Sequence, residues 1–385
     1  MTCSVAKRVR SFRARFLLLV PLIWMMAERS TSPQQEERIV SPEVSADRRV
    51  TIRFRAPGAK EVAVRMDGFL KPLPMTKDER GVWSLTTEPL EPDYYGYSIL
   101  MDGVPLIDPN NPLLVPNLLR PSCAAHVPGP ASVPWETNEV PHGVVHHHFY
   151  HSRVVGDDRD LYVYTPPGYD ATAPQRYPVL YLLHGFSDDA SAWVAVGRAN
   201  VIVDNLIAKG KAKPMLIVMT LGYGAPEILR DGWSSVQRPE LWQKNYEKFR
   251  DALLQDVIPM VERNYRAKGD RESRAIAGLS MGGAETLYVG LNNLERFAYL
   301  GAFSSGGPTG EYEKTYPRLD ARAGARLRVL WMSCGKDDRL LEPNEKLRDW
   351  LEGKGMHVQW VETDGAHWWP VWRRNLANFA PELFQ

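Results

Sequence analysis

Short apolar segments alternate with segments of helical length from about residue 144 to residue 385. Runs that are apolar on both faces suit strands buried on both sides, because a strand with one wet face would alternate apolar and polar residues. Strands that alternate with helices predict a three-layer α/β architecture around a mostly parallel sheet. The predicted strands are LYVYTP, YPVLYLLHG, MLIVMTLG, RAIAGLS, FAYLGAFS, LRVLWMSCG and HVQWVETDG, and the predicted helices span residues 200–209, 246–265, 282–292, 344–352 and 370–384.

The helix predicted over residues 246–265 carries a single apolar stripe. Phe249, Leu253, Val257 and Val261 recur every four residues, so their side chains would lie on one face against the sheet. Pro259 lies inside this helix and has no backbone N–H to donate, which predicts a bend.

The region before residue 144 has a pattern typical of antiparallel strands. Turn residues separate the segments VTIRFRAP, KEVAVRMDG, GVWSLTTEPL and YYGYSILMDG, and residues 50–54 and 83–87 alternate apolar with polar side chains. We predict a small all-β sandwich over residues 38–120. Eight prolines between positions 109 and 141 would interrupt a helix or a central strand, which predicts a linker over residues 121–143.

The first 27 residues have the pattern of a secretory signal. Five basic residues precede the apolar run FLLLVPLIWMMA, which is shorter than the roughly 20 residues that span a bilayer. We therefore expect a secreted or periplasmic protein without a membrane span in its mature form. Removal of residues 1–27 leaves 42 basic against 46 acidic residues, a formal charge of −4 that does not favour nucleic acid as a partner.

A serine between glycines follows one of the predicted strands. RAIAGL reads as a buried strand and MGGAETLYVG as a helix, so Ser280 lies in the strand-turn-helix setting of a nucleophile elbow. Such a tight turn needs small neighbours, which Gly278 and Gly282 provide. A glycine-rich turn that binds phosphate is the alternative, but phosphate-loop spacing and a following lysine are absent.

A serine nucleophile requires a base, and the expected chain order in this topology is Ser, then Asp or Glu, then His. Asp338 and His367 both follow predicted strands and meet that order. His367 would accept the Ser280 proton, and the Asp338 carboxylate would fix its tautomer. Sequence order does not separate Asp338 from Asp337. The weaker candidates for the acid are Glu345, Asp349 and Asp364.

Two backbone N–H groups are candidates for an oxyanion hole. The helix after Ser280 would present the N–H of Met281, and the turn in YLLHGFSDDASAW would present that of Phe186. His184 lies at this turn, where we expect it to have a structural role rather than a catalytic one.

Several aromatic residues lie near these loops and could form an acyl or sugar pocket, since flat rings stack on phenolic acids and pyranoses. Packing in the core is at least as good an interpretation for any one of them. The histidine cluster of residues 146–151 lacks Cys, Asp or Glu at ligand spacing, so we predict no metal site. The candidate pocket residues are Trp193, Tyr223, Trp233, Trp368 and Trp369.

In combination, LYVYTPPGYD, YPVLYLLHG, GLSMGGAETL, CGKDD and GAHWWPVWRRNL resemble the esterase D branch of the α/β-hydrolases, which includes feruloyl and acetylxylan esterases of carbohydrate esterase family one. The resemblance spans about residues 140–385 and implies the α/β-hydrolase three-layer sandwich. It carries the nucleophile to Ser280, the acid to Asp338 and the histidine to His367. The chain departs from the family at FSDD, where glycines often follow the HG turn.

Residues 38–120 resemble the immunoglobulin-like early-set domain that precedes some bacterial feruloyl esterases. The resemblance rests on Trp83, the tyrosines of YYGY and the Asp102-Gly103 turn. Such a domain binds glucan in some proteins and buttresses the catalytic domain in others.

Together these observations predict a secreted serine esterase that forms an acyl-enzyme and needs no cofactor. The resemblance implies that its substrate is an ester-substituted polysaccharide such as feruloylated or acetylated xylan, or a small ester. The alternatives are an enterochelin-type siderophore trilactone esterase, an acyltransferase, and a catalytically inactive carbohydrate-binding protein. We expect specificity to be set by the loops around residues 223–242 and 308–316.

Overall fold

Ten short strands make up the first part of the chain in the computed structural model, which describes residues 38–307 and 310–385. The signal segment predicted over residues 1–27 lies outside these residues. The strands are β1 (Glu43–Val44), β2 (Val50–Arg55), β3 (Val62–Met66), β4 (Leu73–Pro74), β5 (Thr76–Lys77), β6 (Val82–Thr86), β7 (Asp93–Met101), β8 (Val104–Leu106), β9 (Leu114–Val115) and β10 (Ser122–Val127).

These strands form two antiparallel sheets around one apolar core. The first sheet has the order β1-β2-β6-β5, and the second has the order β4-β3-β7-β10-β9, with β8 paired to β7. Alternate residues point inward, as Val50 and Ile52 do on β2, which confirms the alternation predicted over residues 50–54. Tyr97 and Ile99 on β7 follow the same pattern. An all-β region therefore precedes the α/β part of the chain.

Strand β10 lies within the range 121–143 that the proline content had indicated as a linker. It pairs along its length with β7, so that Cys123 lies opposite Tyr97 and Val127 opposite Asp93. The prolines at 121 and 128 flank this strand and do not interrupt it. The first part of the predicted linker therefore belongs to the second sheet.

The rest of the chain is built on an eight-stranded sheet. The long hairpin of β11 (Val144–Ser152) and β12 (Asp157–Thr165) forms one antiparallel edge, where β12 pairs with β14. From β14 onward the neighbouring strands are parallel, in the order β14-β13-β15-β16-β17-β18. These six strands are β13 (Val179–Leu183), β14 (Leu216–Thr220), β15 (Arg274–Leu279), β16 (Tyr299–Phe303), β17 (Val329–Gly335) and β18 (Gln359–Thr363).

Helices follow most of these strands, as the sequence predicts. All seven predicted strands and five predicted helices are present, whereas β11 was not among the predicted strands. The helices are α1 (Ala192–Ala195), α2 (Ala199–Ala208), α3 (Glu227–Asp231), α4 (Pro239–Ala252), α5 (Ile258–Asn264), α6 (Met281–Asn292), α7 (Tyr312–Thr315), α8 (Ala321–Gly324), α9 (Leu341–Gly353) and α10 (Trp369–Phe379).

A π-helical turn, Leu253–Val257, joins α4 to α5. Pro259 is the second residue of α5, so the missing N–H falls in the first turn, where it needs no intrahelical partner. The sequence predicts a bend at Pro259, and the structure has a change in the helical hydrogen-bonding pattern just before the proline.

Apolar side chains cover both faces of the eight-stranded sheet. On β13, Leu180 and Leu182 pack into a cluster with residues of α2 and α10, whereas Tyr181 and Leu183 pack into a second cluster with residues of α4, α5, α6 and α9. Two helical layers therefore enclose the sheet, which explains why its inner strands from β14 to β17 are fully buried and largely apolar.

The all-β region and the α/β region are in direct contact, since residues 39–385 form one compact unit. At their junction the Arg373 Nε of α10 donates to the Asp93 Oδ1 of β7 at 2.8 Å, and both side chains are fully buried. Among the described residues, no helix is long and apolar enough to cross a membrane.

Candidate active site

Ser280 lies in the turn between β15 and α6, at the carboxyl end of the central strand. Its backbone has φ 51° and ψ −113°, a conformation that non-glycine residues rarely adopt. A Cβ on Gly282 would lie 2.6 Å from the carbonyl oxygens of Leu183 and His184, and one on Gly278 would lie 2.6 Å from the Gly282 carbonyl. The two glycines therefore let this turn pack against β13 and project the serine outward, as the pattern predicts.

Three side chains from three different loops meet at this turn. The Ser280 hydroxyl lies 3.0 Å from His367 Nε2, and His367 Nδ1 lies 2.8 Å from Asp338 Oδ2. In the tautomer that satisfies both contacts, Nδ1–H donates to the carboxylate and Nε2 accepts the serine proton. The arrangement matches the order of Ser, Asp and His in the sequence.

The structure brings Asp338 to His367 and leaves Asp337 exposed. Asp338 is only 5% exposed, and its Oδ1 accepts the backbone N–H of Leu340 at 2.9 Å. Burial raises the pKa of Asp338, but the hydrogen bond and charge of His367 and the Leu340 N–H outweigh it and hold the pKa below its ordinary value. The carboxylate is therefore ionised and can stabilise a charged imidazole.

Ser304 stabilises the Asp338 carboxylate as well. The sequence analysis did not identify Ser304 as a site residue. It follows β16 with φ 46°, is fully buried, and its side chain also helps to lower the pKa of Asp338. Trp372 Nε1 donates to Ser304 Oγ at 3.2 Å, and the Trp372 ring meets His367 edge to face at 4.9 Å. The position of Ser304 at the carboxyl end of a parallel strand is the signal that could have found it.

The predicted oxyanion donors lie on the two turns that face each other here. Phe186 follows the His184-Gly185 turn and lines the same cleft as Ser280, and Met281 is the first residue of α6. His184 holds this turn: Nδ1–H donates to the Gly185 carbonyl at 2.8 Å, and Nε2 accepts the Gly222 N–H at 2.9 Å. Burial lowers the pKa of His184 to about 4, so it is neutral and suited to the structural role expected of it.

A cleft of about 580 Å³ opens over Ser280 and His367. Three of the five predicted pocket residues line this cleft, namely Trp233, Trp368 and Trp369. Phe69, Phe186 and Trp372 also line it. Trp193 and Tyr223 are not in its wall. Each is only 1% exposed, and each donates a hydrogen bond within the core, Trp193 to the Leu183 carbonyl and Tyr223 to that of Asp188.

One wall of the cleft comes from the all-β region, which sequence reasoning had not connected with the site. The lining includes seven of residues 65–72 around the end of β3, residues 96–98 of β7, and five of residues 115–122 around β9 and β10. Of the two loops expected to set specificity, the first contributes Trp233, and the described part of the second contributes no lining residue. No local pattern in the sequence indicates this arrangement, because it depends on how two sheets are placed side by side.

The histidine cluster lies on β11, away from the cleft. Within residues 38–307 and 310–385, no group of three or more His, Cys, Asp or Glu side chains is arranged to hold a metal ion. The four histidines instead pair with neighbours in the fold, His146 with Thr165, His147 with Asp160, His148 with Tyr265 and His151 with Asp158.

Comparison with known proteins places the chain in a family. A family model described as "Putative esterase" matches residues 152–383, more than half of the chain, with all three residues of the array inside the match. The chain belongs to this esterase family.

The chain is similar in sequence to a protein that is named for two enzyme activities. An endo-1,4-beta-xylanase/feruloyl esterase from Xylanibacter ruminicola is 31% identical over 351 residues, which are 89% of this chain and 46% of that protein. The esterase thus spans about half the length of this relative.

Two solved structures share the fold. A ferulic acid esterase from Anaeromyces mucronatus covers 66% of the esterase and 96% of its own chain, with a TM-score of 0.57 and 24% identity. An enterobactin esterase from Shigella flexneri covers 88% of the esterase and 93% of its own chain, with a TM-score of 0.65 and 20% identity. The larger coverage extends the likeness beyond residues 144–385 into the all-β region.

Proposed function

We propose that this esterase is a secreted serine hydrolase that releases ferulate or acetate from xylan-type polysaccharide through an acyl-enzyme. The observation that carries the proposal is the array of Ser280, His367 and Asp338, with contacts of 3.0 and 2.8 Å. The Xylanibacter relative and the Anaeromyces structure support the substrate class. The basic and apolar pattern of residues 1–27 supports export.

In the proposed reaction, the Ser280 hydroxyl attacks the ester carbonyl carbon while its proton passes to His367 Nε2. The N–H groups of Phe186 and Met281 stabilise the negative charge that develops on the carbonyl oxygen. His367 then protonates the leaving alcohol, which leaves the acyl group on Ser280. Water, deprotonated by His367, attacks this ester, and the acid leaves as the proton returns to Ser280.

We also propose that residues 38–120, together with strand β10 (Ser122–Val127), form an early-set, immunoglobulin-like domain and that residues 144–385 are the catalytic domain. The two antiparallel sheets around a single core support the first assignment, and the extent of the family match supports the second.

The test compares kcat/KM for methyl ferulate and p-nitrophenyl acetate in the wild-type protein and in Ser280→Ala. We expect Ser280→Ala to abolish turnover of both esters without a change in the circular dichroism spectrum. Hydrolysis that persists in this variant would overturn the serine mechanism. A strong preference for ferulate supports the aromatic acyl group, and acetate turnover alone supports a short-chain esterase.

Adjacent aspartates provide a matched pair that tests the acid. Asp338→Asn keeps the shape but favours the wrong histidine tautomer, so kcat should fall by about 10⁴. Asp337→Asn changes the same group one residue earlier, at an exposed position, and should retain nearly full activity. Equal losses in the two variants would contradict the assigned geometry.

A further inference from the structure

Four basic side chains line the cleft that contains Ser280 and His367. Arg65 lies on β3, Lys71 in the loop after it, and Arg120 between β9 and β10, so three of the four come from the all-β region. Arg339 follows Asp338 in the α/β region. All four residues are exposed.

None of these four side chains forms an ion pair or a side-chain hydrogen bond with another described residue. Elsewhere in the same region arginines are paired, as Arg53 is with Glu43 at 2.8 Å. Unpaired charges of one sign around a concave surface repel one another and attract anions, an effect that the low-dielectric walls of a cleft strengthen. The chain as a whole has a formal charge of only +1, so this positive field is local.

Two carboxyl groups in the cleft wall only weakly offset this charge. Burial raises the pKa of both Asp67 and Asp188 to about 7, and each accepts a hydrogen bond at 3.0 Å, from Gly96 N–H and the Asn117 amide respectively. Below neutral pH both are largely protonated. The other titratable groups of the lining are His367, whose ring nitrogens are engaged by Ser280 and Asp338, and Tyr97, whose pKa burial raises above its ordinary value.

Aromatic rings lie in the same cleft as the cations. Phe69 comes from the all-β region, and Trp233 and Trp368 come from the α/β region. Rings bind the apolar faces of sugars, while the planar guanidinium of arginine matches the two oxygens of a carboxylate. The cleft thus combines groups for a glycan with groups for an anion.

We propose that Arg65, Lys71 and Arg120 of the all-β region, with Arg339, form an anion subsite that binds a carboxylate carried by the ester substrate. The occupant that fits both sets of groups is a uronic acid branch on an esterified xylan. The identification of the ligand as a glycan rests on the proposed function. The anion subsite itself rests only on the residues that line the cleft. The carboxylate of an acylated serine such as 2,3-dihydroxybenzoylserine is the other source of this chemistry.

The test measures binding by calorimetry, without turnover, to the full chain. The ligands are xylotriose, xylotriose with one glucuronic acid branch, and 2,3-dihydroxybenzoylserine. We expect the branched sugar to bind more tightly than xylotriose, with an advantage that declines as salt is added, because exposed charges are screened.

The variants are Arg65→Gln, Arg120→Gln and their combination, and Lys213→Gln is the control because it removes an exposed cation outside the cleft wall. Each arginine substitution should weaken binding of the branched sugar about fivefold, the upper end for an exposed charge pair. If circular dichroism shows that one of the arginine variants does not fold, Lys71→Gln is measured in its place.

Selective loss of the branched sugar supports the uronate form of the proposal. Selective loss of dihydroxybenzoylserine alone supports the anion subsite but overturns the uronate as its occupant. Equal affinity for the two sugars, with no effect of the arginine substitutions on any ligand, overturns the subsite. Because no hydrolysis is involved, these outcomes are independent of whether Ser280→Ala abolishes turnover.

Discussion

Carboxyl groups around the cleft differ in ionisation because their partners differ. Asp338 accepts hydrogen bonds from a histidine and a backbone N–H, which hold its pKa low. Asp188 is as deeply buried, but its side-chain partner is the neutral amide of Asn117, and burial raises its pKa to about 7. The residue type is therefore a poor guide to charge without the surroundings.

Asp188 should make the stability of the protein depend on pH. Its pKa is higher in the folded state than the ordinary value of 3.8, so between about pH 4 and 7 the folded state keeps a proton that the unfolded state has lost. The free energy of unfolding should therefore fall as pH rises through this window. Asp188→Asn, which resembles the protonated acid, should remove up to about 4 kcal/mol of that fall.

Urea unfolding at pH 4.5 and pH 7.5 measures this difference. Glu295→Gln is the control, because it replaces an exposed carboxylate with an amide of the same shape. Parallel pH profiles for the wild type and Asp188→Asn would contradict the prediction.

At the scale of elements, α10 joins the two parts of the chain. It begins at Trp369, two residues after His367, and its Arg373 donates to Asp93 on β7, to the Val196 carbonyl at 2.9 Å and to the Tyr94 carbonyl. The helix that follows the candidate catalytic histidine is thus anchored on the all-β region. A buried arginine with these acceptors fixes the direction in which the helix leaves the site.

Asp93→Ala should be strongly destabilising. It leaves the fully buried Arg373 without its carboxylate, and breaking a buried ion pair costs about 3–5 kcal/mol. Glu342→Ala removes one partner of an exposed pair with Lys346 and should cost less than about 1 kcal/mol. Chemical denaturation of the two variants measures the contrast, and a similar small loss in both would show that Asp93 does not anchor the helix.

At the scale of the whole molecule, the all-β region and the α/β region together form the cleft. Its floor is the carboxyl edge of the eight-stranded sheet, and one wall is the edge of the all-β region. Residues 39–385 form one compact unit, joined by a buried ion pair. The two parts should therefore not unfold independently.

We accordingly expect a single calorimetric transition for the full chain, with equal calorimetric and van't Hoff enthalpies. The physical reason is that melting either part exposes the buried junction of the other. Two resolved transitions, or enthalpies that differ by about a factor of two, would show that the contact between the parts is weak.

The sequence by itself determined the features that depend on local pattern. The period of apolar residues specified seven of the eight strands of the large sheet and five of its helical segments, because a strand or helix must bury a face of fixed spacing. The glycines around Ser280 specified its turn, because a side chain at Gly278 or Gly282 would collide with backbone. Chain order and the loops after strands led to His367 and to a choice between two adjacent aspartates.

Only the tertiary structure decided features that depend on distant segments. It separated Asp338 from Asp337, placed Ser304 beside the acid, and buried Trp193 and Tyr223 in the core. It also turned part of a proline-rich stretch into β10, because pairing with β7 supplies the hydrogen bonds that a linker would have left to water. The cationic wall of the cleft arises in the same way, from residues far from Ser280 in sequence that the packing of two sheets brings to one surface.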